Sequence, residues 1–260
     1  FFGAMIVIGF YCRKHATDVN GFVLGGRSVG PWLTAFAYGT SYFSAVIFVG
    51  YAGQFGWKYG IASTWIGIGN ALVGSMLAWV ILGRRTRVMT QHLDSATMPE
   101  FFGTRFQSNG LKISASVIVF IFLIPYTASL YNGLSRLFGM AFDIDYTVCM
   151  IVMAVLTGIY VIAGGYMATA VNDFLQGIIM LVGIVVVIGA VLKTNGGFME
   201  ALNGLAGIQD ETVSNQPGVF ASFFGPDPLN LLGVVILTSL GTWGLPQMVQ
   251  KFYAIKSEDS

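Results

Sequence analysis

Two long apolar runs, residues 146–163 and 174–192, are separated by a short stretch from Gly164 to Gly177 that carries one carboxylate, Asp173. Runs of this length approach the ~20 apolar residues needed to cross the hydrocarbon core of a bilayer. A backbone in hydrocarbon must satisfy its own hydrogen bonds, which leaves only helices and closed barrels. An acid at the foot of such a segment is costly unless it meets a partner or an ion. Of the 12 Asp and Glu residues, the other eleven lie in polar connections or close to Ser260, so Asp173 is the acid to explain.

The rest of the chain fits the same solvent: 55% of residues are hydrophobic, 10% are charged, and the mean hydropathy is +0.73. An outer-membrane barrel predicts ~10-residue segments of alternating polarity, and the run from Gly177 to Leu192 shows no alternation. The 34 glycines favour a tightly packed bundle of membrane helices, where small residues allow close approach and breaks. The expected fold class is an all-α integral membrane protein. Cys12 and Cys149 lie in apolar segments without ligand spacing and read as small buried hydrophobes. His15 and His92 sit among polar residues and carry no ligand motif. A nucleic-acid partner is not expected, and the oligomeric state is left open.

Seven apolar spans are expected, at about 1–12, 31–53, 61–83, 113–135, 146–163, 174–192 and 229–249. The first begins at Phe1 with no charged segment before it, so it reads as the remainder of a truncated helix rather than a signal peptide. Seven spans divide the loops into two alternating sets, and the 13 Lys and Arg residues split between them 10 to 3. The richer set, with Arg13, Lys14, Arg27, Arg84, Arg85, Arg87, Arg105, Lys112, Lys251 and Lys256, is cytoplasmic by the positive-inside rule. That orientation puts Ser260 and Asp173 on the cytoplasmic side of a cell membrane. The outer loop from Thr194 to Pro228 is expected to hold one short helix, Phe198 to Leu205.

Two spans carry polar breaks. In the second, Tyr38-Gly39-Thr40-Ser41-Tyr42-Phe43-Ser44 interrupts the apolar run; in the seventh, Thr238-Ser239-Leu240-Gly241-Thr242-Trp243-Gly244-Leu245-Pro246 does so. Unwinding frees carbonyl oxygens for a small hard cation and amide protons for an anion. Packing alone is the alternative, since Ser and Thr bond back to their own helix and Gly and Pro kink membrane helices. The interval of five spans between the breaks is the one an inverted repeat of five helices demands. Asp173 and Asn172 have a structural alternative too: either can cap the start of the sixth span. Gly164-Gly165 reads as a helix stop.

On these residues the chain resembles the sodium:solute symporter family, which contains proline, pantothenate and sodium/glucose transporters. The marks are Gly25-Gly26-Arg27-Ser28-Val29-Gly30-Pro31-Trp32, then Thr97-Met98-Pro99-Glu100-Phe101-Phe102 with Arg105-Phe106, then Gly164-Gly165 with Asp173 and Gln176, and last Gly244-Leu245-Pro246-Gln247 with Lys251-Phe252. The resemblance covers nearly all 260 residues. It implies a LeuT-type core of two inverted five-helix repeats preceded by one extra helix. By that correspondence residues 1–260 form one truncated transporter domain: 1–12 is part of the extra helix, 31–192 the first repeat, and 229–249 the first helix of the second.

The function implied is sodium-coupled symport of a small organic solute (an amino acid, carboxylate, vitamin or sugar) into the cell by alternating access. Sodium is the coupling ion, and no other cofactor is expected. The backbone carbonyls of Thr40 and Phe43 are the expected sodium ligands, with Ser41 and Ser44 beside them and Asp173 on the ion's route to the cytoplasm. Gly39, Tyr42, Thr242, Trp243 and Pro246 are expected to line the solute site. Proline-type members carry an aspartate where this chain has Tyr42 and an aromatic where it has Thr242, which leaves the solute open. A transporter-like sensor feeding a signalling output is the alternative. An enzyme is not expected, because neither H-E-x-x-H nor G-x-S-x-G occurs.

Overall fold

The computed structural model describes residues 2–43 and 51–260. Ser44, one of the expected sodium-site residues, lies outside them. Among the described residues the secondary structure is helical throughout, with two isolated bridges, Val29 with Ile255 and Asp210 with Ser214, as the extended pairings. In chain order the helices are α1 (Phe2–Cys12), α2 (Val19–Leu24), α3 (Pro31–Tyr42), α4 (Ala52–Tyr59), α5 (Thr64–Gly69), α6 (Arg84–His92) and α7 (Met98–Arg105). They continue as α8 (Asn109–Phe142), α9 (Tyr146–Thr194), α10 (Phe198–Ala206), α11 (Pro228–Gly241) and α12 (Pro246–Ala254). Between α5 and α6 the helix widens into two π-helical stretches, Asn70–Leu77 and Trp79–Gly83.

Local chemistry sets many of the starts. The side chains of Asp18, Thr97, Ser108 and Asp227 each accept a hydrogen bond from a backbone N–H in the first turn of the helix that follows, satisfying donors that have no partner within the helix. Pro31 and Pro246 open α3 and α12, where a missing N–H costs nothing.

Three helical stretches are long and apolar enough to cross a membrane: Ala52–His92, Asn109–Phe142 and Tyr146–Thr194, of 41, 34 and 49 residues. A fourth is obtained if Pro228–Gly244 and Pro246–Ala254 are counted as one broken span. α1 has 11 residues and α3 has 12, short of the ~20 needed. The fifth and sixth runs both lie in α9, whose 49 residues are two helical segments that meet at a kink at Gly165. The short helix expected between the sixth and seventh runs is found as Phe198–Ala206. Apolar side chains such as Phe120, Phe122, Val185 and Val186 are more than half exposed, as expected of helices whose solvent is lipid.

Gly164-Gly165 ends one helical segment of α9, as the sequence suggests, and a second segment follows it across a kink. Gly165 takes φ 55° and ψ −149°, and a Cβ built there would stand 2.7 Å from the Phe22 carbonyl oxygen. Both facts demand glycine. Helix resumes at once, so Asn172 and Asp173 sit two turns beyond the kink, in mid-helix. The reading of either as a helix-start cap is thereby overturned.

The described residues fall into two compact units. One is drawn from residues 1–49, 79–177 and 244–260, the other from 50–78 and 178–243. In the first, α12 is the buried centre: Met248, Val249, Phe252, Tyr253 and Ala254 are all enclosed. Phe252 meets Trp79 edge-on at 4.6 Å and stacks on Tyr38 at 6.2 Å between centroids. α1 lies against α9, with no room for a side chain at Gly164, whose Cβ would fall 2.6 Å from the Gly9 carbonyl oxygen. In the second unit Tyr59, Ala62 and Leu231 form the core, with Phe55, Trp65 and Ile66 around it.

Gly165→Ala is expected to destabilise the protein by about 2 kcal/mol, from the disallowed backbone region and the Phe22 contact together. Gly158→Ala, in the same helix with nothing within 4 Å of the new Cβ, is the control. Thermal midpoints in detergent, followed by tryptophan fluorescence, should fall for the first and hold for the second.

Candidate functional site

α3 runs through Gly39, Thr40 and Ser41 to Tyr42 and leaves helical geometry at Phe43, with φ −89° and ψ 63°. The break thus begins later than the Tyr38-Gly39 expected from the glycine. Thr40 Oγ1 donates back to the Phe36 carbonyl at 2.9 Å, and Phe43 N–H still reaches the Gly39 carbonyl at 2.9 Å, so this turn stays wound. The Thr40 hydroxyl is therefore engaged by its own helix. Tyr42 is 3% exposed and packs beside Tyr38.

α3 crosses α9 at Gly177. A Cβ there would lie 2.5 Å from Phe36 Cδ1 and 3.2 Å from Thr40 Cγ2, and Phe36 meets Phe174 edge-on at 4.8 Å. Gly177 is one turn beyond Asp173, so the crossing brings the Thr40 end of α3 and the Asp173 turn of α9 to one place.

Asp173 has a partner that the sequence pattern did not supply. Lys251 Nζ stands 3.7 Å from Asp173 Oδ2, with the two side chains 8% and 22% exposed. The same ammonium lies over the Tyr166 ring, 5.0 Å from its centroid. Lys251 was assigned to a cytoplasmic loop by the charge count; the structure puts it inside α12, buried. Two signals could have found it. A lone acid in an apolar helix needs a counter-charge, and Lys251 lies one turn after Gln247 in the segment that follows the Gly-Pro break. No cluster of three or more His, Cys, Asp or Glu that could hold a metal occurs among the described residues, so an ion in this unit would depend on carbonyls and hydroxyls around a single carboxylate.

The chain that follows α12 is held by Arg87, and Arg27 binds the end of α6 and the residues after it. Arg87, 4% exposed, donates from Nε to the Ile255 carbonyl at 2.6 Å and from a terminal nitrogen to the Lys256 carbonyl at 3.1 Å. Arg27 donates to the carbonyls of Ser95 at 2.8 Å and Thr90 at 3.2 Å. Burial pulls the Arg27 pKa below the ordinary arginine value, while Asp94, Tyr253 and Glu100 act the other way. The Lys256 amide donates to the Val29 carbonyl at 2.9 Å, which ties the chain after α12 to the segment before α3.

The solute-site candidates divide between the units. Gly39, Tyr42 and Pro246 belong to the first, and Thr242 and Trp243 to the second. In the second unit Thr242 Oγ1 donates to the Ser239 carbonyl at 3.0 Å, and Trp243 Nε1 donates to the Val73 carbonyl at 3.1 Å. Val73 belongs to a π-helical stretch, a geometry frequent at functional sites. In the same stretch buried Asn70 accepts from Ser239 Oγ at 3.1 Å. Asn70 was missed by the sequence reading, although an amide in the middle of an apolar run is itself a signal.

A family model described as the sodium:solute symporter family matches residues 22–260. Among curated proteins the chain is 35% identical over 264 aligned positions to the sodium/proline symporter of Staphylococcus aureus strain JH9, and equally to those of strains JH1 and Mu3. Each match covers 99% of this chain and 49% of the relative. The chain thus spans about half the length of the curated relatives it matches. Their names are those of transporters, not of enzymes.

The Arg87 clamp makes a local prediction. Arg87→Ala is expected to speed hydrogen exchange at the Lys256 amide about tenfold or more, because charge-assisted bonds that hold the strap are lost. Amides of α10 serve as the unaffected reference. Equal protection at Lys256 in both proteins would show that the aromatic packing of Phe252 alone holds α12.

Proposed function

The chain belongs to the sodium:solute symporter family, and from that premise we propose that the protein is a sodium-coupled secondary transporter that moves a small organic solute into the cell. The single observation that carries the reading is the crossing at Gly177, where the end of α3 and a buried carboxylate come together in one apolar unit. Sodium is a hard cation that seeks several oxygens. In this proposal the Thr40 and Phe43 carbonyls supply two, Ser41 and Ser44 are the further candidate ligands, and Asp173 receives the ion on its way to the cytoplasm. Gly39, Tyr42, Thr242, Trp243 and Pro246 line the solute site.

The proposed frame is a LeuT-type pair of inverted repeats, with residues 31–192 as the first repeat and 229–249 opening the second. The protein sits in the cell membrane with the end at Ser260 facing the cytoplasm, and sodium is its only cofactor. Sodium binding stabilises an outward-open arrangement, solute binds beside it, and rocking of one repeat against the other exposes both inward. One cation crossing 100 mV contributes about 2.3 kcal/mol, before any concentration gradient is added. Proline, named for the relatives, is one candidate solute; Tyr42 and Thr242 keep other amino acids, carboxylates, vitamins and sugars in the panel.

The test is uptake of a radiolabelled panel by the protein at its natural length in proteoliposomes, with a sodium gradient against a choline control. Sodium-dependent accumulation of one compound is expected. Tight binding of a compound without accumulation would favour a sensor. Asp173→Asn is expected to raise the sodium concentration for half-maximal uptake about tenfold, equivalent to ~1.4 kcal/mol, at unchanged membrane expression. Unaltered sodium activation in that variant would restrict Asp173 to its structural pairing with Lys251.

A further inference from the structure

We propose that Lys251 is a tethered cation that trades places with the coupling sodium ion on Asp173, a role that rests on the sodium-coupled reading above. The ammonium is 3.7 Å from the carboxylate, longer than the 2.7–2.9 Å of a tight charge-assisted hydrogen bond. The pair neutralises Asp173 without locking it. Lys251 is buried and Asp173 largely so, and sodium cannot join Asp173 while Lys251 remains, since two cations would then face one carboxylate in a weakly screened site. One of them must leave.

The structure offers Lys251 somewhere to go. On the two helices that carry the pair, Tyr166 Oη, both amide atoms of Asn172 and both amide atoms of Gln247 are buried and have no hydrogen-bond partner among the described residues. Unpaired buried polar atoms are costly, and native structures keep few of them without a reason. Gln247 is four residues before Lys251 on α12, so the two side chains share a helix face. The ammonium has three donors, and its ion pair is with Asp173. A short swing toward Gln247 Oε1, across the Tyr166 ring it already faces, gives it a new acceptor while sodium takes over the carboxylate. Sodium occupancy thus becomes a change in where α12 is anchored. When sodium departs, Lys251 returns and Asp173 stays neutralised for the empty carrier.

The two residues make opposite predictions in the full-length protein. Lys251→Gln removes the competitor, so the sodium concentration for half-maximal uptake falls about tenfold, in line with an apparent affinity reduced by the fraction of sites already occupied. Net uptake suffers more than solute exchange, because the empty carrier of this variant must carry an unpaired carboxylate. Gln247→Leu removes the second berth while relieving an unsatisfied amide, so it folds well and raises the half-maximal sodium concentration about threefold by the same competition. In the Asp173→Asn background Lys251→Gln has no effect on sodium. A half-maximum that stays put or rises in Lys251→Gln, or stays put in Gln247→Leu, overturns the exchange. Wild-type protein with no sodium dependence overturns the symport reading, and this role with it.

Discussion

A carboxylate enclosed among apolar helices has to be neutralised, and in this protein the requirement is met by Lys251 reaching Asp173 across two helices. Much of the first unit is arranged so that this can happen. α12 must lie close to α9, so its buried face is aromatic and aliphatic and is wedged by Trp79 and Tyr38. It must also be held in register, and Arg87 does this by gripping the two carbonyls that follow the helix. Asp173 itself can approach α3 because the next turn offers Gly177 to the ring of Phe36. Charge, aromatic packing and a missing side chain act on one crossing.

The architecture uses glycine in two distinct ways. At Gly9, Gly164 and Gly177 the absence of a side chain lets backbones approach, the packing device expected where lipid gives helices little hydrophobic reason to associate. At Gly165 the backbone conformation itself is the need, and the kink redirects α9 so that Tyr166 and Asp173 continue as one helical face. The π-helical stretches at Asn70–Leu77 and Trp79–Gly83 achieve a redirection of another kind, one that leaves carbonyls such as that of Val73 able to accept from Trp243.

The membrane class, the family and the need of Asp173 for a partner were legible because each depends on a feature with a long reach: run length, motif order and the cost of a charge in hydrocarbon. The break near Pro246 was legible for the same reason, since a Gly-Thr-Trp-Gly-Leu-Pro series cannot continue a helix. What escaped the sequence was local competition. Gly39 is a weak helix former, yet the back-bonded Thr40 hydroxyl and the Tyr38–Tyr42 contact keep the turn wound to Tyr42. Gly164-Gly165 reads as a stop, and one helical segment does end there; what the sequence does not show is that a second segment starts at once, with Phe22 of α2 packed on the kink. Lys251 was invisible to a loop count, which sorts cations by side of the membrane and takes no account of which helix face they occupy.

The strap that ties the end of α12 to the segment around α2 has a consequence for how such a chain is made. Gln250 donates to the Val23 carbonyl across 227 positions of sequence, and Val29 pairs with Ile255 in the same fashion. At roughly 5–20 residues per second, the partner of Val23 leaves the ribosome about 11 to 45 s after Val23 does. For that interval the segment around Arg27 and Val29 has no α12 to close on. The early helices must therefore be parked, by the insertion machinery or by provisional contacts, in an order that leaves a slot for a segment not yet synthesised.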